Sequence, residues 1–317
     1  MMQRVAITGC ASRFGRVLLP LLEADPDIER IVGVDLVAPV GTYSKLEFHT
    51  KDVRDTSLQE AFQGCDTVVH LAFIVGRPYS MSLQEAASIN LGGTWNVCYS
   101  AAEIGVRKLV VSSSIAAYGS LPDNPPLFFE DSSLRGLYTD FYYSQHKHAN
   151  EIWLDSLQLK YPQLLISRLR PSIVIGPHQV AATSMIQPNR TYFTSNEAYQ
   201  SRLQLIHEDD LAAAFYVMIT HDLPGAYNVV ADDPNSMPNI AASAGFQVIE
   251  VPAEMIVQAV DAAWKEGKTT LGPEWVTLEG DIICSNAKLK ETGLWTPRYT
   301  TAQAYAATAE VVASADA

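Results

Sequence analysis

The chain has 317 residues, 48% of them hydrophobic, and carries 35 acidic against 22 basic side chains for a net charge of −13. Length and apolar content support a large core and exclude a disordered chain, while the acidic balance excludes nucleic acid and anionic membrane surfaces as partners. With no apolar leader ahead of the first strand and no run of 18 apolar residues, a soluble cytoplasmic protein is expected.

In chain order, Arg4–Ile7 reads as a buried strand and Phe14–Glu23 as a helix. Between them lies the turn Gly9-Cys10-Ala11-Ser12-Arg13-Phe14-Gly15. In a dinucleotide-binding turn the first glycine permits the bend, the middle one admits the pyrophosphate, and the last lets helix and strand pack. The helix N-terminus then offers free N–H groups to the phosphates. Ser12 stands at the middle position, a small intrusion whose hydroxyl is itself expected to donate to a phosphate. The next strand, Ile31–Val34, runs into Asp35, 20 residues after Gly15. A carboxylate there accepts both ribose hydroxyls of an adenosine and repels a 2′-phosphate, which favours NAD over NADP despite the nearby Arg13.

Leu46–Phe48, Thr67–Leu71, Leu109–Val111 and Leu165–Leu169 read as further strands. Ser57–Phe62, Met81–Ile104 and Phe141–Leu159 read as the helices between them. This alternation predicts an α/β fold with a Rossmann-type doubly wound parallel sheet over residues 1–177. Segments near 203–231 return to that sheet through a helix at Asp209–Thr220 and a strand at Ala226–Val230. Residues 178–202 and 232–317 are expected to form a small substrate-binding subdomain.

The stretch "FYYSQHKHANE" carries the chemistry. Tyr143 and Lys147, four apart on a helix, face the same way. A free tyrosine ionises near pH ~10, and a neighbouring ammonium favours its phenolate. "KLVVSSSIAAYG" places serines where a buried strand leaves the carboxyl edge of the sheet, the edge at which open α/β sheets bind ligands. Ser114 there is expected to hydrogen-bond the substrate oxygen beside Tyr143. The "IHEDDLA" stretch, with His207, Glu208, Asp209 and Asp210, reads as a capped helix start, and no metal site is expected. Cys10, Cys65, Cys98 and Cys284 have neither metal-ligand spacing nor the density of a disulfide framework.

Through "TGCASRFG", "VGVDL", "KDVRD", "VVHLAF", "INLGGTWNV", "VVSSSIAAYG", "YYSQHK", "LRPSIVIGP", "QLIHEDDLAAA" and "AKLKETGLWTPRY", in that order, the chain resembles the extended short-chain dehydrogenase/reductases of the NAD-dependent epimerase/dehydratase group. The resemblance implies a catalytic set of Ser114, Tyr143 and Lys147, with Tyr143 and Lys147 also meeting the cofactor. It implies that, with Ser12 where the family carries Gly, the backbone N–H groups of Arg13 and Phe14 meet the phosphates, that Asp52 and Val53 meet the adenine and that Leu71, Ala72 and Phe73 line the cofactor's path. It further implies that Asn90 supports the site and that Pro171 and Ile173 meet the nicotinamide. The helices 81–104 and 141–159 are expected, by the same resemblance, to form a homodimer.

Departures from the family pattern narrow the reaction. Ile115 and Ala116 follow Ser114 where sugar 4,6-dehydratases carry an acidic pair, which disfavours dehydration. Arg77, Arg190 and Arg202 are the candidate cations for an anionic substrate group. The resulting expectation is a hydride transfer between NAD and a secondary alcohol or sugar hydroxyl on a small molecule. A nucleotide-sugar epimerase with tightly held NAD, or a non-catalytic nucleotide-binding sensor, is the alternative.

Overall fold

Apolar side chains alternate across the first strand: Val5 and Ile7 are buried on one face of the sheet and Ala6 on the other. A strand buried on both faces needs a helical layer on each, and the chain supplies both. The computed structural model describes residues 2–179 and 189–315. Its elements in chain order begin with β1 (Gln3–Thr8), α1 (Gly15–Ala24), β2 (Ile28–Asp35), β3 (Leu46–Thr50), α2 (Leu58–Phe62) and β4 (Thr67–His70). Then come α3 (Leu83–Ala87), α4 (Thr94–Glu103), β5 (Lys108–Ser112), α5 (Tyr142–Lys160), β6 (Leu165–Pro171) and β7 (Ile173–Ile175). The later elements are β8 (Thr191–Thr194), β9 (Leu205–His207), α6 (Glu208–Thr220), β10 (Gly225–Val229), α7 (Met237–Ser243) and β11 (Gln247–Glu250). The chain closes with α8 (Ala253–Lys265), α9 (Ala287–Lys290) and α10 (Thr301–Ala315).

Seven strands form one parallel sheet in the order β10-β6-β5-β4-β1-β2-β3. The order reverses at β1, so the ends of β1 and β4 diverge over a crevice at the carboxyl edge. Leu18, Leu19 and Leu22 of α1 and Leu211 and Phe215 of α6 fill one face. Val97 and Ala101 of α4 and Leu154 and Leu157 of α5 fill the other. A smaller core beside the sheet gathers Ile240, Phe246 and Tyr305 around the short pair β7–β9. A second short pair, β8–β11, is also parallel. None of these four short strands stands out in the sequence, because each is only three or four residues long.

The helix expected over 81–104 is interrupted. Ser82 caps α3 by accepting the Glu85 N–H at 3.0 Å, and a six-residue π turn, Ser88–Gly93, joins α3 to α4. Side-chain periodicity does not separate a π turn from an α-helix. The wider coil brings Gly93 so close to Val53 that a Cβ would collide with the valine methyl. The 180–188 part of the expected 178–202 subdomain segment lies outside the described residues.

Candidate active site

The glycine turn closes against the end of β4. Gly9 takes φ +75, where L side chains are strained, and an added Cβ would lie 2.6 Å from the Ala72 amide nitrogen. At Gly15 an added Cβ would strike the Cys10 carbonyl. Ser12 uses its hydroxyl within the turn, where Oγ accepts the Gly15 N–H at 3.1 Å. The N–H groups of Arg13 and Phe14 find no acceptor among the described residues, as befits the open start of a helix. Asp35 is tied to the same turn: Oδ2 accepts the Ala11 N–H at 2.9 Å and Oδ1 its neighbour's N–H at 2.7 Å. Asp52 is held by Arg54, and its carboxyl lies below the usual range because of that guanidinium.

The ends of β4 and β5 meet α5 beyond the turn. Lys147, 3% exposed, donates from Nζ to the Ser112 carbonyl at 2.7 Å and sits 3.6 Å from the centre of the Phe73 ring. Ser114 is buried, and its Oγ accepts the Ala116 N–H at 3.1 Å. Tyr143 lies among Phe73, Phe141 and Trp275, with ring centres 5.7, 5.8 and 5.2 Å away. The structure thus brings Ser114, Tyr143 and Lys147 to one place at the carboxyl edge.

Their electrostatics correct one expectation. Lys147 does not hold Tyr143 as a phenolate. Burial pushes the phenol up to about 12, opposed only by the Ser114 side chain. Burial also pulls the Lys147 ammonium down to about 7, with Glu151 opposing. The physical reason is burial: the aromatic box around Tyr143 and the dry strand end around Lys147 disfavour a charge on either group.

Asn90, in the π turn, grips the segment after β4. Its Oδ1 accepts the Ile74 N–H at 2.7 Å and its Nδ2 donates to the Ile74 carbonyl at 3.0 Å. Val53 and Leu71 are buried, and Ala72 is half-buried beside Gly9. Pro171 offers its carbonyl to Ser114 Oγ at 3.5 Å, and Ile173 is 40% exposed.

The three arginines expected at the substrate each have a partner within the fold. Arg77 donates to the Met81 carbonyl and stacks 4.7 Å from the Trp264 ring centre, tying the β4 loop to α8. Arg202 pairs with Asp281, and Arg190 lies 5.9 Å from the Phe246 ring centre. The acidic stretch in the first turn of α6 is tied into the fold. His207 caps the helix, Glu208 accepts from His178 and Gln179, and Asp210 holds Arg298 at 2.9 Å.

Two features escaped sequence reasoning. Trp275 lies 132 positions from Tyr143 in a short turn, and no local signal ties it to the site. Glu151 was visible, four residues after Lys147 on the same helix, but its two arginine partners on β6 were not.

A parallel sheet with a glycine turn at its switch point, and a Ser–Tyr–Lys cluster beside that turn, define a nucleotide-binding fold of the dehydrogenase/reductase type. The model of the NAD dependent epimerase/dehydratase family matches residues 5–230, well over half of the chain, and the protein belongs to that family. An uncharacterised protein of Mycobacterium tuberculosis is 26% identical over 95% of this chain and 82% of its own. L-arabinose 1-dehydrogenase (NAD(P)(+)) of Haloferax volcanii is 35% identical over 36% of this chain and 41% of its own. Among solved structures, UDP-glucuronic acid 4-epimerase from Bacillus cereus superposes with a TM-score of 0.77 at 16% identity, covering 98% of this chain and 99% of that one.

Proposed function

We propose that the protein is an NAD-dependent dehydrogenase acting on the secondary or hemiacetal hydroxyl of an uncharged small molecule. The observation that carries this reading is the convergence of Ser114, Tyr143 and Lys147 beside an open glycine turn. The turn fits a dinucleotide: its two glycines allow no Cβ, and two amides at the start of α1 lack acceptors. Arg13 and Phe14 would hold the phosphates and Asp35 the ribose hydroxyls. Asp52 and Val53 would border the adenine, and Leu71, Ala72, Phe73, Pro171 and Ile173 the remaining length. Lys147 would meet the nicotinamide ribose.

When bound, NAD supplies the hydride-accepting carbon and a positive ring charge that favours the Tyr143 phenolate. Tyr143 Oη then takes the substrate's hydroxyl proton. Ser114 Oγ donates to the same oxygen and fixes its orientation. The wall of Phe73, Phe141 and Trp275 excludes water from that oxygen. Ile115 and Ala116 offer no acid or base, which speaks against a dehydratase.

The cations argue against a nucleotide diphosphate. After residue 177 the chain carries Arg190, Arg202, Lys265, Lys268, Lys288, Lys290 and Arg298. Arg202, Lys265, Lys268, Lys290 and Arg298 are paired with carboxylates, and Lys288 donates to the Ala226 carbonyl. Arg190 faces an aromatic ring. A diphosphate would have to break one of these contacts.

The test is a screen of free aldoses and alicyclic alcohols with added NAD, followed at 340 nm. Tyr143→Phe should lower turnover by about 10³-fold while leaving NADH binding by fluorescence largely intact. NAD that survives gel filtration with no net NADH formed would favour an epimerase, and turnover surviving in the variant would remove Tyr143 from the chemistry. As for assembly, α4 and α5 leave Trp95 and Ile152 about half exposed, with the Trp95 and Trp153 ring centres 5.8 Å apart. A homodimer through these helices is the matching proposal, and sedimentation of an Ile152→Asp variant checks it. Among the described residues no helix is long and apolar enough to cross a membrane.

A further inference from the structure

Three consecutive residues at the end of β5 meet three residues of α5 spaced one helical turn apart. The Ser112 carbonyl accepts from Lys147 Nζ at 2.7 Å, Ser113 Oγ donates to Glu151 Oε1 at 2.6 Å, and the Ser114 side chain faces Tyr143. Positions 143, 147 and 151 lie on one stripe of the helix, so the strand end is fastened rung by rung. Glu151 is the lowest rung and is 1% exposed. It accepts four bonds: Ser113 and Arg170 Nε (2.9 Å) on Oε1, Arg170 Nη2 (2.9 Å) and Arg168 Nη1 (3.0 Å) on Oε2.

We propose that Glu151 is a positioning residue for the reacting cluster: its carboxylate anchors the serine strand end through Ser113 and supplies the negative charge that faces Lys147. The inference rests on the reading of Ser114, Tyr143 and Lys147 as that cluster. A buried ion pair is a poor device for stability alone, since apolar side chains of similar volume serve as well or better. This one is placed where its charge has a second use. The groups facing Lys147 are His70 from β4 and Tyr143, His146 and Glu151 from α5 itself. Glu151 is the only anion among these. Arg168 and Arg170 of β6 and His148 of α5 face Glu151. Arg170 spends Nη1 on the Tyr118 hydroxyl and the Glu130 carbonyl.

The experiment is an NMR titration of the full chain with 13C-labelled lysine Cε, needing neither cofactor nor substrate. The Lys147 signal is assigned by its loss in Lys147→Met. In the wild type it is expected to titrate below the ordinary lysine range, because burial disfavours its ammonium. In Glu151→Gln its midpoint should fall by about one pH unit, roughly tenfold less ammonium at a given pH above it. In Glu151→Asp, which keeps the charge, it should stay within a few tenths of a unit of the wild type. A role confined to folding would lower the melting temperature of Glu151→Gln and leave the midpoint in place, and that result overturns the proposal. Should Glu151→Gln fail to fold, the double variant Glu151→Gln/Arg170→Met removes the stranded guanidinium as well. The same fall is expected there, and an unmoved midpoint is again fatal. If the midpoint moves while Tyr143→Phe retains turnover, the assignment of the reacting cluster fails and the link between Glu151 and Lys147 stands.

Discussion

Helix α5 is held from two sides by buried polar networks of opposite character. On the β6 side the network is charged: Ser113, Glu151, Arg170 and Tyr118, ending at Asn228, with Tyr118 Oη donating to Asn228 Oδ1 at 2.9 Å. On the β4 side it is neutral. His70 bonds Thr8 Oγ1 at 2.7 Å and Thr94 Oγ1 at 2.9 Å, and Asn150 donates to the Asn90 carbonyl at 3.0 Å. Lys147 stands between them, its ammonium favoured by Glu151 and repelling any proton on His70. The difference teaches how one helix can be both rigid and tunable. The charged side resists any change of partner, and the neutral side can exchange donor and acceptor roles through its hydroxyls.

The largest expected effect tests the charged side. Glu151→Ala strands Arg170, itself only 4% exposed, without a counter-ion. A loss of about 3–5 kcal/mol in urea unfolding is expected. A loss near that of an ordinary polar truncation would mean that Tyr118 and the Glu130 carbonyl suffice for Arg170, and the contrast between the two sides would weaken.

The second effect is a pH dependence to which the neutral side contributes, together with His148 and His207, which burial also pulls down. Burial and the nearby Lys147 pull His70 down to about 3, and burial pulls His146 down to about 4. Unfolded, both would titrate near pH ~6.5. The folded chain therefore binds these protons less readily than the unfolded one. The stability they contribute is complete above pH ~6.5 and is lost as the pH falls toward 4. Unfolding free energy measured from pH 7 to 4 should drop by a few kcal/mol beyond what the carboxylates account for. His70→Gln should flatten that slope, and an unchanged slope would mean that another group carries it.

Much of this arrangement was legible beforehand, for reasons that differ by region. The glycine turn, Asp35 and the Tyr143–Lys147 pair are signalled by short spacings, and short spacings survive folding because backbone geometry alone dictates them. The three serines were visible as a polar cluster at a strand end, but only the folded chain separates their tasks. Ser112 uses its carbonyl, Ser113 its hydroxyl on Glu151, and Ser114 its side chain toward Tyr143. The direction of the Tyr143 shift was not legible. It depends on Phe73 and Trp275, drawn from two distant segments and closing with the neighbouring Phe141 over the ring, and their burial outweighs the one cation that the spacing showed. The partners of Arg77 and Arg202 are hidden from the sequence for a related reason. A cation in a variable segment looks free until its carbonyl or carboxylate partner is brought to it by the fold.

The smallest effect is also the one that defines whether the neutral side is a network at all. Thr94→Val removes the hydroxyl that bonds His70 Nε2 at 2.9 Å and Asn150 Nδ2 at 3.4 Å. Asn150 keeps the Asn90 carbonyl, and His70 keeps Thr8. A neutral imidazole has one donor and one acceptor, and the Thr8 hydroxyl can match whichever nitrogen state faces it. The single variant should therefore cost only about 1 kcal/mol, and Thr8→Val the same for the mirror reason. The double variant leaves the imidazole buried with no partner on either nitrogen, so its cost should exceed the sum of the two by at least about 1 kcal/mol in a thermodynamic cycle. Additivity within about 0.5 kcal/mol would show that the two hydroxyls act independently. In that event the β4 side would be a set of separate bonds, and the adaptability assigned to it here would have to come from elsewhere along α5.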